Sequence, residues 1–136
     1  MKRIALVVAL IVLGATAAHA QTTYTPYRAT ADTAHYAHFY FAINNQVLAL
    51  VLDAGDCQAA ISYGLGDAYE VFYPSSCNTS LNGSIAYNSV AATPFTLDDG
   101  TKGTINASMW QAQKHCNQHG CWWTVVPGYV VSVTIQ

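Results

Sequence analysis

The run Lys114-His115-Cys116-Asn117-Gln118-His119-Gly120-Cys121 places two imidazoles and two sulfurs within seven residues, from His115 to Cys121. Imidazole nitrogen and thiolate sulfur are the usual ligands of zinc and copper, so His115 and His119 define a metal-binding reading of this segment. The spacing is tight for tetrahedral convergence, and in an exported chain the two Cys oxidise instead. The competing reading is a polar turn closed by a disulfide. His35 and His38 would add imidazoles from a strand, but residues three apart face opposite sides of a regular strand.

A second chemical candidate is Asp53. An apolar run from Val47 to Leu52 leads into Asp53-Ala54-Gly55-Asp56, and the apolar stretch Ala59-Ala60-Ile61 follows. Two carboxylates on paired turns can share a proton and activate water, and a Gly permits the tight turn such a site needs. The nineteen residues from Asn44 to Ser62 resemble the catalytic turn of the retropepsin-like aspartic peptidases, where an Asp-Thr/Ser-Gly triplet follows an apolar strand. The resemblance implies an aspartic-type hydrolase with Asp53 as its catalytic acid. Ala54 stands where that family carries a bracing hydroxyl, Asp56 replaces a small residue, and Val125-Val126-Pro127-Gly128 is the counterpart of the family's later apolar-apolar-Gly segment. Read from the residues alone, the passage is an Asp-Gly loop between two buried strands.

Other templates are missing from the sequence. It has no Gly-x-Ser-x-Gly, no phosphate-cradling Gly-rich loop opening a helix and no His-Glu-x-x-His. Glu70 is the only Glu, so a glycosidase pair would have to recruit an Asp. Asn78-Thr79-Ser80, Asn82-Gly83-Ser84 and Asn106-Ala107-Ser108 match the glycosylation pattern, which matters only in a pathway that glycosylates.

The aromatic residues suggest recognition instead. Nine Tyr and three Trp are present, and Tyr36, Tyr40, Tyr69 and Tyr73 fall on strand faces where they reach the surface. Rigid amphipathic rings give contact area to sugars or proteins at little entropic cost. The plainer alternative is that these rings complete the core and the ends of the fold.

The elements that would carry these residues belong to an exported domain. Lys2 and Arg3 precede an unbroken apolar run from Ile4 to Leu13, and Ala18-His19-Ala20 has the small-x-small pattern of a signal cleavage site. Residues 1–20 therefore read as a secretory signal peptide of bacterial type. Ten apolar residues are half of the ~20 that span a bilayer, so no stable membrane insertion is expected after cleavage. Cleavage leaves Arg28, Lys102 and Lys114 against seven carboxylates, a formal net charge of −4. So few cations exclude a nucleic-acid binder, and an apolar fraction of 52% excludes a disordered chain. The expected location is the periplasm or the exterior. An even count of four Cys behind a signal implies two disulfides with three possible connectivities. Sequence proximity favours Cys57 with Cys77 and Cys116 with Cys121.

Along the chain, residues 21–34 read as a loose N-terminal arm or an edge segment, and residues 35–136 as a single all-β domain. Ala37, Phe39, Phe41 and Ile43 alternate with Tyr36, His38 and Tyr40, the period-two pattern of a strand. Asn44-Asn45-Gln46 then turns it into the apolar run Val47 to Leu52, making a hairpin. Gln58 to Tyr63, Tyr69 to Tyr73 and Ser84 to Val90 are further strands, while polar Ser75 to Gly83 reads as a loop. Thr93 to Leu97 and Thr104 onward flank an Asp-Gly-rich turn. Ser108 to Gly120 is either a capped short helix or a strand clamped by Cys116 and Cys121, with the strand favoured. Pro127-Gly128 begins a final alternating segment, Tyr129 to Ile135. The predicted fold is a small antiparallel β-sandwich or barrel of about seven or eight strands with two disulfides. The expected function is an exported binding domain for a protein or glycan of the cell envelope or exterior, such as an inhibitor or a cell-envelope accessory protein. No cofactor is called for.

Overall fold

The computed structural model describes residues 20–64 and 69–136. The expected signal peptide, Ala20 apart, lies outside the described residues, as do residues 65–68. Those described form β1 (Thr22–Tyr24), β2 (Arg28–Ala31), β3 (Tyr36–Ile43), β4 (Gln46–Asp53), β5 (Gln58–Tyr63), β6 (Glu70–Phe72), β7 (Cys77–Asn82), β8 (Ile85–Val90), β9 (Thr93–Thr96), β10 (Lys102–Ile105), β11 (Ser108–Asn117), β12 (Gly120–Val125) and β13 (Val133–Ile135), with no helix among them. All strand pairs are antiparallel, in sheets ordered β2-β3-β4-β5-β6, β12-β11-β8-β7 and β1-β13-β10-β9.

The last two sheets are joined by the chain. β8 continues into β9 after Ala91 and Ala92, and β10 into β11 after Asn106 and Ala107. Across the bend, Asn106 N–H donates to Ser132 O at 3.0 Å, and Met109 and Val130 exchange backbone bonds of 2.8 and 2.9 Å. The two sheets thus form one bent layer facing the five-stranded sheet, a sandwich-like arrangement. Between the layers lie Phe39, Phe41, Ile43, Leu48, Leu50, Leu52 and Ile61 from one side and Val90, Phe95, Ile105, Trp110 and Val133 from the other. The apolar positions of β3 and β4 face inward as period two requires.

The β3–β4 hairpin closes with Ile43 opposite Gln46, leaving Asn44 and Asn45 as a two-residue turn with φ of 51° and 63°. Two successive positive φ values define a type I′ turn, and Asn is among the residues that tolerate them. Gly103, expected within a turn, instead lies in β10 opposite Phe95. A Cβ at this position would strike the Thr134 carbonyl and the Phe95 ring, so the strand accepts no side chain there.

The strand count exceeds the expected seven or eight for two physical reasons. Bends split long strands in two, as at Asn106 and Ala107. Edge strands also need no apolar face, because they pair through the backbone with one neighbour. Polar β7, expected as part of a loop, pairs with β8 from Cys77 to Asn82. Residues 21–34 supply β1 and β2, which each take a sheet edge, against β13 and β3. Ser108 to Asn117 is a strand, as favoured. The final segment is strand only from Val133, since its pairing is interrupted at the bend, leaving the isolated Met109–Val130 bridge.

The disulfides join Cys57 to Cys77 and Cys116 to Cys121. The second links directly opposed residues of β11 and β12, one pair from the Gln118-His119 turn.

Candidate functional site

Antiparallel register turns the outward face of the five-stranded sheet into rows of side chains. Arg28, Tyr40, Ala49 and Ser62 form one row, Thr30, His38, Val51, Ala60 and Val71 the next, and Tyr36, Asp53 and Gln58 a third. The aromatic column Tyr36, His38, Tyr40 stands along β3, beside the short side chains of β4 and β5. Tyr69, in phase with Val71 just before β6, forms the opposite wall and is 62% exposed. Between these walls runs an open depression of about 220 Å³ lined by Tyr36, His38, Tyr40, Val51, Ser62 and Tyr69. It adjoins a smaller recess of about 80 Å³ that shares Tyr36, Val51, Ala60 and Tyr69 and adds Asp53 and Gln58.

The column is held in place by its neighbours. His38 Nε2 lies 3.0 Å from Asp32 Oδ2, in an exposed pair. Its ring meets Tyr36 edge-on at 5.5 Å and stacks with Tyr40 at 6.3 Å. The Arg28 guanidinium carbon sits 5.5 Å from the Tyr40 ring centroid, within cation–π range. The two ends of the groove therefore differ in charge, with Arg28 beside Tyr40 and carboxylates beside Tyr36. The Tyr36 hydroxyl is pushed above its ordinary value by desolvation first, then by the fields of Asp32, Tyr69 and Asp53.

Three of the four expected binding residues, Tyr36, Tyr40 and Tyr69, meet at this groove. Tyr73 does not line it; it lies just beyond β6 before Pro74, 71% exposed. The sequence reading names neither Arg28, Asp32 nor the short floor side chains as binding residues, and weighs His38 only as an added metal ligand. The strand alternation does contain their signal, since His38 shares the parity of Tyr36 and Tyr40, and Ala49 and Val51 oppose Leu48 and Leu50.

Asp53 is half-buried at the end of β4. Its Oδ1 accepts the Asp56 backbone N–H at 2.9 Å, a side-chain-braced turn of the kind Asp commonly makes. Its neighbours across the sheet are Tyr36 and Gln58, not a second carboxylate. Asp53 is thus a polar group of the groove's smaller recess.

His115 and His119 are not brought together as a ligand set. His115 Nε2 lies 2.8 Å from Thr124 Oγ1 and its ring stacks with Trp122 at 5.6 Å. His119 sits at the hairpin tip, its backbone N–H donating to Asn117 Oδ1 at 2.7 Å. Cys116 and Cys121 are disulfide-bonded and offer no thiolate. Among the described residues no three of His, Cys, Asp and Glu form a metal-holding group. His35 faces away from the groove, with Nδ1 2.8 Å from Asn88 Oδ1, opposite in direction to His38.

One carboxylate pair does form, at the neighbouring edge. The Asp98 backbone N–H donates to Glu70 Oε2 at 3.1 Å, and the two side chains lie against each other in a depression of about 190 Å³ that also includes Tyr69. Desolvation, then the side-chain hydrogen bond and charge of Asp98, raise the Glu70 carboxyl above the ordinary carboxylate value, against the lowering effect of the Asp98 backbone N–H. A raised folded value means that the stabilisation is present below the unfolded value and is lost as pH rises through the folded one. Glu70→Gln is therefore expected to melt above the parent at neutral pH, with the gap closing in acid. Thermal melts across the carboxylate range check this, and a gap independent of pH would contradict it.

No protein-family model matches this chain, and no curated protein or solved structure matches it either.

Proposed function

We propose that this chain is an exported binding module and that the groove on the outer face of its five-stranded sheet takes a glycan. The observation that carries the reading is the placement of Tyr36, Tyr40 and Tyr69 on two sides of a strip of short side chains. A pyranose ring has an apolar C–H face and a polar hydroxyl edge. Tyrosine rings offer the first a stacking surface, while Asp53, Gln58, His38 and Ser62 offer hydrogen bonds to the second. The groove is shallow and open at the surface, which suits a chain threading across it. Pairing of all four Cys is consistent with an oxidising compartment. Among the described residues no helix is long and apolar enough to cross a membrane.

The test is titration of the folded protein against a panel of soluble oligosaccharides, followed by the best binder against Tyr36→Ala and Tyr69→Ala. Each truncation is expected to weaken binding by about tenfold or more, because a stacked aromatic anchor is removed. Both positions are partly exposed, so circular dichroism and melting temperature should stay close to the parent. A glycan bound equally well by both variants would move the site off this groove. Capture of a protein with no glycan bound would replace the ligand class.

A further inference from the structure

The groove is chemically unequal along its length, and that inequality constrains the ligand. At the Tyr40 end stands the Arg28 guanidinium; at the Tyr36 end stand the Asp53 and Asp32 carboxylates. Asp32 is engaged by His38, which offsets its charge when protonated. Among the described residues the Asp53 side chain has one hydrogen bond, to Oδ1 from Asp56 N–H, which leaves Oδ2 for a ligand. Around it the recess of about 80 Å³ is walled by Tyr36 and Tyr69, with Gln58 directly across the β4–β5 pair and Val51, Ala60 and Val71 as its apolar part. A carboxylate flanked by aromatic rings in a small recess complements an ammonium group: the carboxylate supplies charge, the ring faces attract cations, and the Gln58 carbonyl oxygen can accept an N–H.

We propose that the Asp53 recess holds the protonated amino group of an unacetylated amino sugar within the bound glycan. This rests on the glycan reading of the groove and names its substrate class. The raised position of the Tyr36 hydroxyl agrees with it, since part of that shift comes from the fields of Asp32 and Asp53 at this end. An acetylated sugar would set a neutral amide against the carboxylate and bring a larger group into the recess. The titratable groups lining the recess are Asp53, Tyr36 and Tyr69, with Asp32 acting on Tyr36 from beside it, His38 one row away and Arg28 at the far end.

The experiment compares β-1,4-linked glucosamine oligomers with N-acetylated oligomers of the same length, titrated calorimetrically against the parent protein at mildly acidic pH. The amine form is expected to bind about tenfold more tightly, the scale of one charge-assisted hydrogen bond, and to lose much of that advantage in high salt. Asp53→Asn keeps an oxygen for the Asp56 N–H and removes the charge, so the ratio of the two affinities should fall to about one. Asp99→Asn removes the same charge from the β9–β10 turn and should leave the ratio as in the parent. Equal binding of both oligomers by the parent overturns the amine inference alone. Binding of neither, while another glycan of the panel binds, also overturns the amine inference, and binding of no glycan in the panel overturns the glycan reading as well. A preference that survives Asp53→Asn, or is lost equally in Asp99→Asn, reflects attraction to the whole acidic molecule and overturns the site.

Discussion

Phe39→Ala is expected to lower the unfolding free energy by about 3–5 kcal/mol, the range for emptying an aromatic site in a packed core. Phe39 is fully buried in the middle of β3. Its ring meets Trp110 of β11 edge-on at 5.7 Å and Tyr129 at 5.5 Å, so one side chain ties the five-stranded sheet to the bent layer opposite. Trp110 sits on backbone paired with β8 and Tyr129 adjoins the Met109–Val130 bridge, so neither collapses readily into the void. A small domain has only about 5–15 kcal/mol in total, so the variant should lose much of its margin. Urea denaturation followed by Trp fluorescence measures the change, and Phe39→Leu, which refills most of the volume, should cost clearly less. A loss under about 1 kcal/mol for the alanine variant would mean that the layers are not packed through this ring. The consequence reaches the groove, because the residues flanking Phe39 on the chain are His38 and Tyr40.

Removing the Cys57–Cys77 bond is the second large effect. In the chain-entropy account a bridge across a sequence separation of 20 stabilises by about 3 kcal/mol. Cys57 adds a local feature: it is the last residue of the β4–β5 turn and has a φ of +54°. That conformation disfavours side chains with a Cβ by about 1–2 kcal/mol, and the cross-link helps to hold it. Cys57→Ala with Cys77→Ala should therefore lose about 3 kcal/mol, whereas Cys57→Gly with Cys77→Ala should recover part of the loss. Thermal and urea unfolding of the two double variants compare them directly. A glycine variant no more stable than the alanine one would show that the turn relaxes once the bond is gone. Since Asp53 opens this turn, the disulfide also anchors the acidic end of the groove, and the alanine pair is expected to disturb the ligand binding proposed there.

The parts of the fold that were legible in the sequence are those governed by neighbours along the chain. Alternation along Tyr36 to Ile43 assigned β3 and both its faces, because side-chain direction reverses at every residue of a strand. Asn44-Asn45 marked a two-residue turn because few residues accept positive φ twice in succession. The disulfide partners followed from proximity. Polar segments misled for the opposite reason: β7 carries no apolar face, and what makes it a strand is the unpaired edge of β8, which no local pattern reveals. Gly103 is similar, since its place in β10 depends on Phe95 lying across it.

Composition, alternation, turn residues and Cys count in the sequence alone determined an all-β chain with two disulfides and an inward and an outward face on each principal strand. Tertiary structure decided which of these residues meet. Register across β2 to β6 brought Arg28, Tyr40, Tyr36 and Asp53 onto one face, and β6 returned Tyr69 to the opposite side of a strip of short side chains. It also separated Tyr73 from the other three and set Asp53 between Tyr36 and Gln58 rather than beside a second carboxylate. The division has one physical cause: the face a side chain takes follows from its own strand, whereas its neighbours on that face follow from pairings between segments distant in sequence.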